Sequence, residues 1–159
     1  HVFFLNNIFY SASTNDPGGV ELFVRAGQNP ANVEANHNLY FRTGANLRIV
    51  EKEYAGTFYM GDILRIRSGF GWEMNSPAPA NPLFFSGTDF HLCKNSPAIN
   101  KGEGITIMGL PIDKDFDGRN FNNPPSIGAF EFDPAYVAPT IPASAKGQQF
   151  KNMLKGKKN

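Results

Sequence analysis

Gly, Pro or Asn interrupts this chain every few residues, and that punctuation limits what it can fold into. The 159 residues include 16 Gly, 12 Pro and 17 Asn. A helix interior loses roughly 1 kcal/mol at each Gly and about 3 at each Pro. Long helices are therefore disfavoured, and short strands joined by turns are expected. The length suits one domain with its own core. The fold class read from this pattern is all-β.

Within that pattern a short segment returns. Asn7-Ile8-Phe9-Tyr10 aligns with Asn38-Leu39-Tyr40-Phe41, 31 residues on. Short strands with Asn-rich corners, repeated at such a period, suggest a stacked solenoid in which each coil buries one face against the next. Asn suits the corner because it tolerates the left-handed backbone conformation, and stacked Asn side chains can hydrogen-bond from coil to coil. A β-sandwich with two similar hairpins is the alternative, and the pattern leaves both open.

Further along, residues 52–79 break the rhythm. The segment DILRIRS, from Asp62, fits either a short helix with Asp62 as N-cap or a strand. A turn-rich stretch with the single tryptophan follows. Residues 82–86 and 89–93 read as short buried strands, with Phe90 and Leu92 on one face and His91 outward. Residues 105–110 read as a strand broken by Gly109, and residues 126–132 as the last strand, covering the open end of the stack. The segment QQFKNMLKGKK near the end is read as one short amphipathic turn, with Phe150, Met153 and Leu154 on a face.

Charge is unevenly placed. Residues 1–138 carry ten basic and fourteen acidic groups, net −4, whereas the remainder carries five lysines and no acid. A mildly acidic body is unlike a nucleic-acid groove, and the basic tail is read as solvated. A single cysteine, Cys93, permits no intrachain disulfide, and with Lys94 its one basic neighbour and no His/Asn motif around it, it is read as an inert thiol. No apolar run reaches the roughly 20 residues that span a bilayer. The opening HVFFLNNIFYS lacks the regions of a signal peptide and is expected to belong to something longer.

Two C-terminal motifs carry a family resemblance. NPLFFSGTDFHLCKNSPAINKG, from Asn81, resembles a "D-P-x-F … D-F-x-L … S-P-A-I-D-x-G" signature, and DFDGR with SIGAFEF resembles "D-x-D-G … R … D-I-G-A-Y-E". These are signatures of pectate-lyase-like right-handed parallel β-helix proteins that end in a choice-of-anchor Q region, common among exported bacterial proteins. Asn81, Asn100 and Ser126 stand where the family has Asp. The exchange leaves turn chemistry intact and weakens any catalytic or metal role at those positions. The resemblance implies a β-helix in which 1–51 are coils, 52–80 an excursion packed on them, and 81–133 the final coil and C-terminal cap. Residues 134–159 would be a Pro/Ala-rich linker and basic tail.

By the same resemblance the parent protein is secreted, periplasmic or at the cell surface. It acts on polysaccharide, chiefly acidic, as a lyase or glycoside hydrolase. The segment in hand is then structural and non-catalytic alone, its partners being polysaccharide and the coils N-terminal to residue 1. A non-enzymatic surface or adhesion β-helix is the alternative. Fold alone does not decide between them.

The candidate site residues follow from chemistry. Asp113, Asp115 and Asp117 with Gly118 make D-x-D-x-D-G, the first half of a calcium loop, so Ca2+ is the candidate cofactor. The bidentate acid expected six residues past that Gly is Pro124, with Glu131 or Asp133 as substitutes. The same three Asp serve equally as turn formers. Trp72 and Tyr54, with Tyr59 beside them, can stack on sugar faces, although packing of the excursion against the coils explains them as easily, and Arg65, Arg67 and Lys52 can face a uronate carboxylate. Glu51, Glu53, Asp62 and Glu73 are the acids from which a hydrolytic pair could come. His37, at an Asn-rich corner, is read as structural. The catalytic residues themselves are not identified by sequence.

Overall fold

The computed structural model describes residues 2–12, 20–24, 32–44, 48–52, 56–107 and 109–137. Its first half is built from two successive passes of three short strands. The first pass contributes β1 (Val2–Leu5), β2 (Ile8–Ser11) and β3 (Val20–Val24). The second contributes β4 (Val33–Asn36), β5 (Leu39–Arg42) and β6 (Arg48–Lys52). Each strand of the first pass pairs in parallel with its counterpart in the second: Val2 with Val33, Ile8 with Leu39, Val20 with Arg48. The repeat read from sequence is thus the register of the β2–β5 pair. A hairpin strand, β7 (Gly56–Tyr59), then adds antiparallel to β6.

Corners between strands are turned by left-handed residues at equivalent places. Asn6 has φ 58° and His37 has φ 52°, a region that Asn and His visit more readily than bulky or β-branched residues do. His37 is held there by Nδ1, 2.7 Å from Lys101 O, and by Glu103, 3.6 Å from Nε2. Next to each corner sits an asparagine of the ladder. Asn38 Oδ1 accepts the Asn7 backbone N–H at 2.9 Å and its side-chain amide at 3.1 Å.

The β2–β5 pair is a wall between two cores. Alternate residues of a strand face opposite sides. Phe9 and Tyr40 stack at 4.9 Å on one side, in a cluster with Ala35 and Ile49. Ile8 and Leu39 point to the other, where Leu92, Ala98 and Ile127 lie. Residues 126–132 therefore pack against the outer face of this wall. They are not a strand: Gly128 (φ 109°) and single bonds such as Ile127 N to Ala98 O and Gly128 N to Asn6 O hold them.

The first cluster is closed instead by the excursion. DILRIRS begins helix α1 (Ile63–Phe70), whose Ile63 and Ile66 are buried with Trp72 against Ala35, Tyr40 and Ile49. Asp62 does not cap α1 directly. Its carboxylate reaches back to the Tyr59 N–H at 3.0 Å, across the 3-10 turn Met60–Asp62. Gly71, left-handed at φ 70°, ends the helix by donating to Arg67 O, the usual role of Gly at that position.

The two strands expected in 82–93 shrink to one antiparallel bridge, Phe84 with Leu92, because Leu83 is left-handed at φ 53° and breaks any run. Around Gly109 the chain forms a small hairpin of β8 (Thr106–Ile107) and β9 (Leu110–Pro111). The tail beyond 137, with the amphipathic turn expected there, lies outside the described residues.

Candidate functional site

Of the four residues expected to meet substrate, Tyr54 lies outside the described residues, as does Glu53. Trp72 is 3% exposed and stacks on Phe70 at 4.9 Å, so its ring faces the core and cannot present itself to a sugar. Arg67 turns inward, donating from Nε to Glu73 O at 2.8 Å and from Nη2 to Ser76 O at 2.6 Å. Arg65 is the one of the three described that remains open, paired with Asp62 at 3.1 Å and lying over the Phe58 ring.

Glu73, a candidate hydrolytic acid, is 1% exposed and takes the place of a third asparagine above Asn38. Its Oε1 accepts Tyr40 OH at 2.7 Å and Asn38 Nδ2 at 2.9 Å, while Oε2 accepts Ser76 Oγ. Ser76 Oγ in turn accepts the Asn38 N–H at 2.8 Å. A carboxylate so enclosed is a structural acceptor, its lone pairs matched by neighbouring donors.

The D-x-D-x-D-G loop is held together by its own acids. Asp115 is buried, with Oδ1 accepting the N–H groups of Asp117 (3.0 Å) and Arg119 (2.8 Å) and Oδ2 accepting Glu131 N–H at 2.9 Å. Glu131, the first substitute ligand, is itself enclosed by Ser126 and Asn122. Asp133, the second, lies 2.8 Å from Arg119 Nη1 as an ion pair without hydrogen-bond alignment. Asp117 turns away to His91, and Asp113 stands exposed. The three aspartates do not converge, and no group of three His, Cys, Asp or Glu among the described residues is arranged to hold a metal.

His91 has a carboxylate at each ring nitrogen. It does not face outward: its side chain is 13% exposed, sandwiched between Phe130 at 4.0 Å and Tyr136 at 3.7 Å. Nδ1 lies 2.7 Å from Asp89 Oδ1 and Nε2 lies 3.0 Å from Asp117 Oδ2. Both nitrogens can donate only in the imidazolium form. Burial works against that charge, but hydrogen bonds to Asp117 and Asp89 outweigh it and hold the pKa above its ordinary value. Burial would likewise raise Asp89, yet its bonds from His91 and Tyr136 leave it lowered. Tyr136, donating to Asp89 Oδ2 at 3.0 Å, is raised by burial and by that bond. The Asp89-x-His91 spacing was a visible sign of this arrangement, whereas the partnership with Asp117, 26 residues on, was not. The cluster ties three segments together.

An open groove of about 650 Å3 lies to one side of the fold. Its floor is Leu5, Ile105, Ile112 and Phe121, and its polar lining includes Glu103, Asp113, Asn120 and Asn123. It continues past Glu34 over the same Leu5, Ile105 and Ile112. None of the residues anticipated as sugar-binding line it.

No helix among the described residues is long and apolar enough to cross a membrane. Comparison with family models, with curated proteins and with solved structures gives no match.

Proposed function

We propose that this chain is part of a right-handed parallel β-helix of an exported, carbohydrate-active protein, and that its own residues scaffold and bind rather than catalyse. The observation that carries this reading is the in-register parallel pairing of three consecutive strands with the next three. Parallel neighbours need long connections, and three such pairs in the same order are what coils stacked on one another produce. The asparagine ladder from Asn7 to Asn38 to Glu73 supports the same reading.

Scaffolding is favoured over catalysis by where the candidate groups point. Trp72, Arg67 and Glu73 are all turned into the protein. The partner expected along the stack is a further coil. Asn7 O and Ser11 O bond to the second pass, so by alternation Ile8 and Tyr10 direct their peptide groups to the opposite edge. Among the described residues no strand lies there. An open edge of this kind is a template for another strand. The remaining expected partner is a polysaccharide.

The test is to incubate the chain with a panel of polysaccharides, following ultraviolet absorbance of unsaturated product and release of reducing ends, alongside affinity electrophoresis in the same glycans. Retarded migration without turnover is expected. Turnover by this chain would overturn the scaffolding assignment, and free migration in every glycan would overturn the carbohydrate reading.

A further inference from the structure

The groove over Leu5, Ile105, Ile112 and Phe121 has a charge character that bears on what it can hold. Its lining supplies carboxylates at Glu103 and Asp113, and at Glu34 where the groove continues, with no Lys, Arg or His among the described residues. Two basic side chains border this lining, each against one of its residues. Lys114 Nζ lies 2.8 Å from Asn120 Oδ1 and 3.4 Å from Gly118 O, and His37 sits 3.6 Å from Glu103 Oε2. Asp113 uses its backbone O to accept Phe121 N–H, at 2.9 Å, and its carboxylate bonds to none of the described residues.

Such a lining disfavours an acidic polysaccharide, since uronate carboxylates would be brought against protein carboxylates in a cleft that concentrates their field. A glycan carrying ammonium groups has the opposite relation to it. We infer that the groove binds a cationic, amino-sugar glycan, with sugar ammonium groups on Asp113 and Glu103. The Phe121 ring offers an apolar surface for a sugar face, and the Asn123 amide supplies a donor and an acceptor for hydroxyls. The groove's volume lies within the ~300–1,000 Å3 of small-ligand sites, enough for a short oligosaccharide. This rests on the carbohydrate reading and names its substrate class, replacing the acidic polymer that the resemblance implies.

Three oligosaccharide probes of equal length separate the possibilities by calorimetry at low salt, in a mildly acidic buffer that keeps sugar amines charged. They are glucosamine oligomers, their N-acetylated and therefore neutral counterparts, and oligogalacturonate. The glucosamine oligomer is expected to bind tightest, to weaken with added salt, and to lose about tenfold in affinity in Asp113→Asn or Glu103→Gln, the scale of one charge-assisted contact. Both variants keep the backbone bonds of these residues, and circular dichroism checks that they fold. Preference for the neutral or the anionic probe, or cationic binding indifferent to both substitutions, overturns the inference while the carbohydrate reading stands. Failure of all three probes to bind removes both.

Discussion

Asn38 reaches back 31 residues to Asn7, and a single side-chain oxygen accepts both the backbone and the side-chain N–H of its partner. The same Asn38 donates through Nδ2 to Phe4 O at 2.7 Å and to Glu73. One fully buried amide thus joins the first pass, the second pass and the segment that follows helix α1.

Removing that amide should be costly. Asn38→Ala strands the Asn7 N–H and the Phe4 carbonyl and leaves Glu73 Oε1 with Tyr40 OH alone, and the expected loss is about 2–4 kcal/mol. Asn7→Ala deletes a half-buried partner and should cost about 1 kcal/mol. Urea denaturation of the two variants checks the ranking. Equal effects would remove Asn38 from its place as the junction.

The His91 cluster predicts a pH dependence with a definite sign. Because the folded pKa of His91 is raised, its stabilisation is fully present below the unfolded value of about 6.5 and lost as pH rises through the folded value. Asp89 acts oppositely: its lowered pKa contributes stability above about 3.9 that disappears as pH falls through the folded value. Thermal denaturation across pH should therefore show a plateau between the two, declining on both sides. His91→Gln should flatten the alkaline decline and also reduce the acid one, because Asp89 loses a bond that lowers its pKa. An unchanged alkaline slope would refute the assignment.

Calcium should leave the melting temperature unmoved, because Asp115, Glu131 and Asp133 already accept from backbone N–H groups, Asp133 from that of Ala135. Asp115→Ala, by contrast, releases three N–H groups at once and should destabilise by about 2–4 kcal/mol. A calcium-dependent rise in melting temperature would show that these acids rearrange around the ion.

Trp72→Ala should cost about 3–5 kcal/mol, as core aromatic truncations do, and leave glycan binding as it was once corrected for the folded fraction. Loss of binding at unchanged stability would return Trp72 to the sugar-stacking role.

Gly128 adopts φ 109°, and a Cβ there would stand 2.9 Å from Ile8 Cδ1. Gly128→Ala should lose more than about 1 kcal/mol from backbone strain alone, with the clash added. Combining it with Ile8→Val should recover only the clash. Full recovery in a denaturant titration would place the whole effect in packing.

The strands of the first half were legible in sequence because their cues are local: Asn at the corners, alternation between them, and the return of Asn-Ile-Phe-Tyr as Asn-Leu-Tyr-Phe. The side on which residues 126–132 pack was not, since both a cover over the stack and a cover along its flank bury Ile127 and Phe132. Glu73 misled for a related reason. Acidic side chains in a turn-rich stretch read as exposed, yet Glu73 found Asn38 and Tyr40 from across the fold. The groove drew no signal at all, because Glu103, Asp113 and Phe121 come together only through the β8–β9 hairpin and the loop after it.

Leu39 and Tyr40 are consecutive residues, both essentially inaccessible, and each belongs to a different core. A chain with that arrangement has no seam along which to come apart. Opening either core disturbs the strand that roofs the other, so the stacked passes and the C-terminal wrap should unfold in one cooperative transition. Slow amide exchange at Leu39, Tyr40 and Ile127 would then report a single shared free energy rather than two.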